Sequence, residues 1–318
     1  MCLFPRFIKN PKYNSYKLKK GDIKCDDFRK MYVPIGCGKC YECKRQKAQQ
    51  WRIRLNEELN VHKHAYFCTL TFSAEELKKL ATVYECGQDT NAVATIALRR
   101  FLERYRKRNK HSLKHWFITE LGHEGTERIH LHGLIFDDEE WTNDKLYSYW
   151  KYGICDTGQY VNLRTINYVI KYMLKIDTDH KNYEPVILCS AGLGENYVHT
   201  WAAQHKYKYI KGNTPEYYTL PNGAKIALPI YYRNKFYSEK ERENMWTDRL
   251  DKAELFVNGI KISNVDTEQG QKTYYDILKT QQEWNNKIGY GNTSEEWKTL
   301  PYNITFKMLQ SGRKGIAS

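Results

Sequence analysis

Apolar and polar residues in the middle of the chain follow two periods, one typical of strands and one typical of helices. Aliphatic, aromatic and β-branched runs predict strands at residues 66–72, 114–120, 129–136 and 160–163. Apolar residues at helical spacing predict helices at about residues 42–62, 94–107, 141–152 and 166–176. A polar loop at 122–126 joins the second and third strands, so we expect them to form an antiparallel hairpin. This order of elements predicts an α+β fold with a central antiparallel sheet flanked by helices.

The two ends of the chain are less regular. Residues 1–36 are polar and rich in lysine, so we expect an irregular N-terminal arm, then a folded domain at 37–240 and a polar C-terminal appendage at 241–318. Within the domain, Asn222-Gly223 favours a hairpin with a type I′ turn. Lysine and tyrosine alternate at 206–211, which predicts a strand that either binds nucleic acid or is a sheet edge protected by lysines.

Composition indicates the class of partner. The chain has 318 residues, enough for a substantial core, and its 51 lysines and arginines exceed its 37 acidic residues to give a formal net charge of +14. This excess favours polyanions, above all nucleic acid. The 26 tyrosines and 8 tryptophans suit the unpaired bases of a single strand, although aromatic rings also fill ordinary cores. No apolar stretch suits a membrane span or a secretory signal, so we expect a soluble intracellular protein.

A pair of histidines in the third predicted strand is the first candidate for chemistry. His130 and His132 are two residues apart, so in a strand both rings project from one face and can bind one metal ion. Glu120 is the best candidate for a third ligand, because hairpin pairing would bring its carboxylate near the imidazoles. This donor set suits Mn²⁺ or Mg²⁺ and does not exclude Zn²⁺. A His-x-His pair by itself is common and is weak support for a metal site.

Two tyrosines in the last predicted helix are the second candidate. Tyr168, Tyr172 and Lys175 share one helix face, since residues at i, i+4 and i+7 lie on the same side. A phenol has a pKa of about 10, and a nearby cation such as Lys171 or Lys175 would make it a better nucleophile. Its attack on a phosphodiester would leave a 5′-phosphotyrosine and a free 3′-hydroxyl. The competing interpretation is a helix face that simply packs against the core.

Three of the nine cysteines lie close together in a Cys-x2-Cys-x2-Cys segment, formed by Cys37, Cys40 and Cys43. In a reducing compartment this spacing favours a structural Zn²⁺ over a disulfide framework. Candidates for a fourth ligand are Cys25, His62 and His64. The alternative is three reduced cysteines on a turn at the start of a helix.

Three segments together resemble a known family. In chain order, Thr69-Leu70-Thr71, His130-Leu131-His132 and the Tyr168/Tyr172 helix resemble the motifs of HUH endonucleases, which start rolling-circle replication. More narrowly, residues 34–240 are similar to the replication initiators of microviruses, small phages with circular single-stranded DNA, and of their gokushovirus-like group. The chain departs from that pattern at 189–194, where family members often have Arg-Lys-Pro-Gly-Ile-Gly.

The resemblance implies a fold of the HUH or ferredoxin-like type and a metal-dependent, site-specific single-strand DNA endonuclease and strand transferase. The implied metal ligands are Glu120, His130 and His132. The implied nucleophiles are Tyr168 and Tyr172, assisted by Lys175. Implied partners are single-stranded or origin DNA and a host helicase with its replication machinery, in the cytoplasm of a phage-infected bacterium. The chain has no phosphate-binding loop of its own for a motor activity.

Three other functions fit parts of the same pattern. A non-catalytic single-strand binding protein would use the tyrosines to stack bases and the histidines as structural residues. A plasmid relaxase or a transposase of HUH architecture would share the chemistry but differ in substrate and partners. A metal hydrolase that activates water would cleave DNA without forming a covalent adduct.

Overall fold

The computed structural model describes residues 1–15, 25–123, 127–177, 180 and 183–290. Its strands are β1 Arg6–Lys9, β2 Tyr32–Ile35, β3 Ala65–Leu70, β4 Lys114–Leu121, β5 Ile129–Phe136, β6 Cys155–Tyr160, β7 Ile187–Cys189, β8 Tyr217–Thr219, β9 Lys225–Ala227, β10 Leu255–Val257 and β11 Ile260–Ile262. Its α-helices are α1 Tyr41–Leu59, α2 Ala74–Val83, α3 Thr90–Asn109, α4 Asn143–Tyr149, α5 Leu163–Leu174, α6 Trp201–Lys206, α7 Ile230–Phe236, α8 Glu239–Asp251 and α9 Glu268–Asn285. Short helical turns of other pitch lie at Phe28–Lys30, Glu195–His199 and Asn286–Tyr290.

The described residues fall into two compact units. The central unit is Ala48–His199, and the terminal unit is Met1–Lys47 together with the described residues from Thr200 onward. The central unit contains a five-stranded antiparallel sheet in the order β6-β3-β5-β4-β7. This sheet and its helices confirm the predicted α+β class. The domain boundaries expected at residues 36 and 240 stay a prediction.

Helices cover both faces of the sheet, because its middle strands are apolar on both sides. On β5, Leu131 packs in a buried cluster with α3, whereas Leu134 packs in another buried cluster with α5. Successive side chains of a strand point to opposite faces, so the even-numbered residues of β5 all face α5. His130 and His132 belong to this even-numbered set, and the alternation therefore places both imidazoles on the α5 side of the sheet.

Gly133 is required at the centre of the sheet. It lies directly opposite Phe117 on β4. A Cβ atom at this position would lie 2.2 Å from a ring carbon of Phe117 and 2.4 Å from the backbone oxygen of Trp116. The missing side chain therefore lets the Phe117 ring lie over β5, next to the histidine strand segment.

The terminal unit is built from two-stranded pairings and helices. β1 pairs with β2, β8 with β9 and β10 with β11, each antiparallel. The β8–β9 hairpin confirms the turn predicted at Asn222-Gly223, where Gly223 has a φ of +81° that suits glycine. A small core of this unit includes Leu3, Val257, Ile262, Tyr274 and Leu278.

Three local expectations differ from the structure. Residues 6–9 and 32–35 form paired strands within the segment expected to be an irregular arm. The strand expected at 160–163 is instead β6, Cys155–Tyr160, whose polar residues are held by pairing with β3, and Asn162 caps α5. The strand expected at 206–211 is wrong, because α6 ends at Lys206 and the Tyr207 ring then stacks on Phe236 with centroids 4.5 Å apart.

The expected C-terminal appendage is described up to residue 290, where it contains α8, β10, β11 and α9; its remainder, like part of the loop expected at 122–126, lies outside the described residues. None of the helices in the described part of the chain combines the length and the apolar character needed to cross a bilayer.

Candidate active site

The registers of three neighbouring strands bring four polar side chains to one place on the α5 side of the sheet. His130 on β5 lies opposite Glu120 on β4, and His132 lies opposite Thr69 on β3. Opposed residues of antiparallel strands project from the same face and their Cβ atoms lie close together. The pairing expected between Glu120 and the histidine strand is therefore present.

Both histidines direct the same ring nitrogen to one carboxylate oxygen. Glu120 Oε2 lies 3.2 Å from His130 Nε2 and 3.1 Å from His132 Nε2. The two imidazoles are nearly perpendicular, at 89°, with centroids 4.8 Å apart. The side chains are between 12% and 21% exposed, so they are sheltered but still accessible from solvent. One oxygen and two nitrogens are thus arranged as a group that could hold a metal ion.

Each histidine has a further partner on its other ring nitrogen. The backbone oxygen of Arg128 lies 3.3 Å from His130 Nδ1, and Thr69 Oγ1 lies 3.1 Å from His132 Nδ1. A carbonyl oxygen can only accept, so His130 Nδ1 is the donor and Nε2 keeps its lone pair in the neutral ring. The Thr69 hydroxyl can accept from His132 Nδ1 in the same way. These contacts orient both rings as metal ligands through Nε2.

The Glu120 side chain is charged in this environment. Burial opposes its ionisation, but hydrogen bonds with His130, His132 and Lys175 and the positive charge of Lys175 outweigh burial and hold the pKa of Glu120 well below the usual value. The group therefore carries a full negative charge at neutral pH, as a ligand for a cation requires.

Lys175 contacts the acidic member of the cluster. Its Nζ atom bonds to Glu120 Oε1 and lies 3.1 Å from His123 Nε2. The sequence placed Lys175 on the tyrosine helix, but α5 ends at Leu174 and Lys175 follows it in an extended conformation. The helical spacing was therefore wrong at this residue, although its side chain still reaches the cluster.

Helix α5 carries the two predicted tyrosines. A capping box formed by Asn162 and Thr165 fixes its first turn, and a buried stripe faces the sheet. The hydroxyls of Tyr168 and Tyr172 lie 2.8 Å apart and share a hydrogen bond. Because these residues are one helical turn apart, the helix itself sets this spacing.

The two tyrosines have different surroundings. The Tyr172 ring stacks on His132, with centroids 4.5 Å apart and an interplanar angle of 17°. Tyr168 is 49% exposed, and its ring meets Phe67 edge-on with centroids 5.9 Å apart. Burial, the hydrogen bond with Tyr168 and the negative charge of Glu120 raise the pKa of Tyr172 well above its ordinary value. Tyr172 is therefore a neutral phenol at pH 7 when no cation is near it.

A second group that could hold a metal ion consists of Cys2, Cys37, Cys40 and Cys43. The fourth ligand expected at Cys25, His62 or His64 was wrong. In the β1–β2 pairing Arg6 lies opposite Ile35, so the chain before β1 runs back toward Cys37 and brings Cys2 to it. His62 instead bonds to Glu58, at 3.0 Å.

A third group was missed by sequence reasoning. His123, Asp177 and His180 each offer one ligand atom, and these atoms lie within 4.8 Å of one another. Asp177 and His180 follow the end of the tyrosine helix but His123 comes from the hairpin more than fifty residues earlier, so no local motif announces the group.

Comparison with known proteins gives two matches. Residues 65–177 match a family model whose description is that of a replication-associated protein, ORF2. The chain is also 23% identical over 308 residues to the replication-associated protein VP4 of Bdellovibrio phage phiMH2K, which covers 87% of this chain and 89% of that protein. These matches support a microvirus-type replication initiator. No solved structure matches the chain.

The family match spans every predicted site residue. These are Glu120, His130, His132, Tyr168, Tyr172 and Lys175. The structure brings all six together at one end of the α5 side of the sheet. Their roles in a reaction stay a prediction. Sequence reasoning noted Thr69 as part of a motif but missed its contact with His132.

Proposed function

We propose that this protein starts rolling-circle replication by cutting one strand of DNA at a specific site and later rejoins the strand. One observation supports the proposal most: the Tyr172 ring stacks directly on His132. A hydrogen-bonded pair of phenols therefore lies beside a group of metal ligands. That combination suits phosphodiester transfer to tyrosine.

Glu120, His130 and His132 would hold the divalent ion through one carboxylate oxygen and two imidazole nitrogens. Carboxylate oxygen with imidazole suits Mn²⁺, and Mg²⁺ is the other candidate. When bound, the ion would polarise the phosphate oxygens and stabilise the charge of the transition state. Lys175 already neutralises part of the negative charge of Glu120 and is close enough to assist at the same phosphate.

The tyrosine step exchanges one phosphodiester for another. A tyrosine hydroxyl attacks phosphorus and forms a new P–O bond, while the bond from phosphorus to the 3′ oxygen of the preceding nucleotide breaks. The phenol loses its proton and the leaving oxygen gains one. The 5′ end of the DNA stays on the protein, and the free 3′-hydroxyl can prime synthesis. Attack by a 3′-hydroxyl on the phosphotyrosine reverses the step and rejoins the strand.

Two hydroxyls allow two such steps in one round. Tyr168 is the more accessible of the pair, and Tyr172 lies against the metal-ligand group. One tyrosine can hold a DNA end while the other cuts again, which the release of a unit-length circle requires. Their 2.8 Å contact also lets one phenol accept the hydrogen bond that steadies the other.

The test uses oligonucleotides tiled over the genome that encodes this chain and labelled at the 3′ end. With Mn²⁺ or Mg²⁺, wild-type protein should form a denaturation-resistant adduct that carries the label, because the fragment 3′ to the nick stays on tyrosine. EDTA should abolish it. The double change Tyr168→Phe and Tyr172→Phe should also abolish it, and the matched control Tyr147→Phe, an exposed tyrosine on α4, should not.

Other results would point to other functions. Cleavage without adduct would identify a hydrolase that uses water. Tight binding of every oligonucleotide with neither cleavage nor adduct would identify a single-strand binding protein. An adduct formed on plasmid transfer origins or transposon ends, but not on the encoding genome, would identify a relaxase or transposase. As an initiator in the host cytoplasm, the protein would depend on a host helicase to unwind the nicked duplex.

A further inference from the structure

Four cysteine sulfurs form a compact cluster in the terminal unit, which contains none of the residues that carry the proposed reaction. Cys2 precedes β1, Cys37 and Cys40 lie in the turn before α1, and Cys43 lies in the first turn of α1. Cys2 Sγ is 3.9 Å from Cys40 Sγ, and Cys37 Sγ is 3.9 Å from Cys43 Sγ. All four sulfurs lie within 4.8 Å of one another.

These separations match a tetrahedron of thiolates. Zinc binds cysteine sulfur at about 2.3 Å, so the edges of a regular ZnS₄ tetrahedron measure about 3.8 Å. A disulfide would instead bring two sulfurs to about 2 Å. We propose that Cys2, Cys37, Cys40 and Cys43 bind one structural Zn²⁺ as four thiolates.

Backbone amides are already directed at the sulfurs. Cys2 Sγ accepts hydrogen bonds from the N–H groups of Phe4, at 3.3 Å, and Cys37, at 3.1 Å. Cys37 Sγ accepts from the N–H groups of Lys39, at 3.4 Å, and Cys40, at 3.2 Å. Such bonds favour the charged thiolate and orient it toward a metal ion. Four packed neutral thiols would not need these donors.

Glycine shapes the turn that carries two of the ligands. Gly38, between Cys37 and Cys40, has a φ of +77°, a conformation that other residues rarely adopt. A Cβ atom on Gly36 would lie 3.3 Å from Cys43 Sγ, tighter than most such contacts. The chain therefore folds closely around the sulfurs, and the turn is built to present Cys37 and Cys40 from one side.

The ion would tie together distant parts of the terminal unit. Cys2 and Cys40 are 38 residues apart in the chain. Both belong to the small core that also contains Val257 from β10 and Leu278 from α9. A core of this size gains much from a metal crosslink, and binding energy for zinc at such a site becomes folding energy. Zinc should therefore stabilise this unit without taking part in DNA cleavage.

The test measures metal on the full-length protein after dialysis against a weak chelator. We expect one zinc per chain in the wild type and in Cys189→Ser, a control at an exposed cysteine. The double variant His130→Ala, His132→Ala should keep that zinc, which separates this site from the proposed catalytic one. Cys40→Ser should lose it, and Cys2→Ser should bind zinc at least tenfold more weakly.

Cobalt substitution tests the same site without any mutation. Wild-type protein loaded with Co²⁺ should show intense thiolate-to-cobalt charge transfer and the strong visible bands of a tetrahedral sulfur site. Because this measurement needs only the wild type, it decides the matter even if Cys40→Ser does not fold. Absence of the sulfur bands would overturn the proposal, as would a zinc that Cys40→Ser retains and the histidine double variant loses.

Discussion

Thr69 offers the sharpest test of how the histidine strand is prepared for a metal ion. Its hydroxyl lies 3.1 Å from His132 Nδ1, on the side of the ring away from Glu120. Thr69→Val removes this hydroxyl but keeps the size and the branched shape that suit a strand. The His132 ring then loses the partner that fixes its tautomer, and its Nε2 lone pair is no longer reserved for the ion.

The expected loss can be worked from the contact. A hydrogen bond between neutral groups contributes about 1 kcal/mol, or about a fivefold change in an equilibrium constant. The His132 side chain is only 12% exposed, so water cannot fully replace the lost hydroxyl. Loss of an outer partner of a ligand commonly weakens metal binding by about 10- to 100-fold. We therefore expect Mn²⁺ binding to weaken by about tenfold, near the lower end of that range.

The assay is calorimetric titration of metal-free protein with Mn²⁺. Thr69→Ser keeps the hydroxyl and should bind almost as well as the wild type. Thr71→Val is the control, because the Thr71 hydroxyl bonds to the backbone oxygen of Ile154 rather than to a histidine. Equal affinities for Thr69→Val and Thr69→Ser would refute the role of the hydroxyl, and an equal loss in Thr71→Val would show a nonspecific effect.

Three further predictions concern stability, each followed by urea unfolding. Gly133→Ala should destabilise the protein by about 1–3 kcal/mol, because the new Cβ would meet the Phe117 ring at 2.2 Å; Gly158→Ala, whose Cβ would have its nearest neighbour at 3.6 Å, should be nearly neutral, and equal effects would contradict the argument. Tyr105→Phe removes a 2.9 Å hydrogen bond to buried Asp137 and should cost about 1.5–3 kcal/mol; a cost no greater than that of the exposed Tyr147→Phe would count against it. In metal-free protein Glu120→Gln should lower stability at pH 7, and because the folded-state pKa lies below the unfolded value of about 4.3, this difference should shrink as the pH falls below about 4; a difference that does not change with pH would argue against the charge as its cause.

Local pattern was sufficient where strand period and hairpin pairing decide the structure. The spacing of His130 and His132 places both on one face whatever the rest of the chain does. The short loop between β4 and β5 then limits the pairing enough to bring Glu120 opposite His130. The predicted cluster therefore depends on contacts close in sequence, and the structure reproduces it.

Prediction failed where distant contacts decide the structure. Cys2 joins the other cysteines through the β1–β2 pairing, and nothing in its own neighbourhood indicates this. The residues Cys155-Asp156-Thr157-Gly158 have no apolar alternation, and their strand exists because β3 supplies hydrogen-bonding partners. At Tyr207 the alternation of lysine and tyrosine is overridden by packing of the ring on Phe236.

The contact between the two tyrosine hydroxyls also limits how DNA ends can be exchanged. A displacement at phosphorus needs the attacking and leaving oxygens on opposite sides of that atom. Oxygens 2.8 Å apart instead suit neighbouring corners of one phosphate. In the proposed chemistry, a strand end attached to Tyr168 could not pass directly to Tyr172 in this arrangement, and only a 3′-hydroxyl of DNA would release it. Each tyrosine would thus retain its own end, which preserves the order of the strands during circle closure.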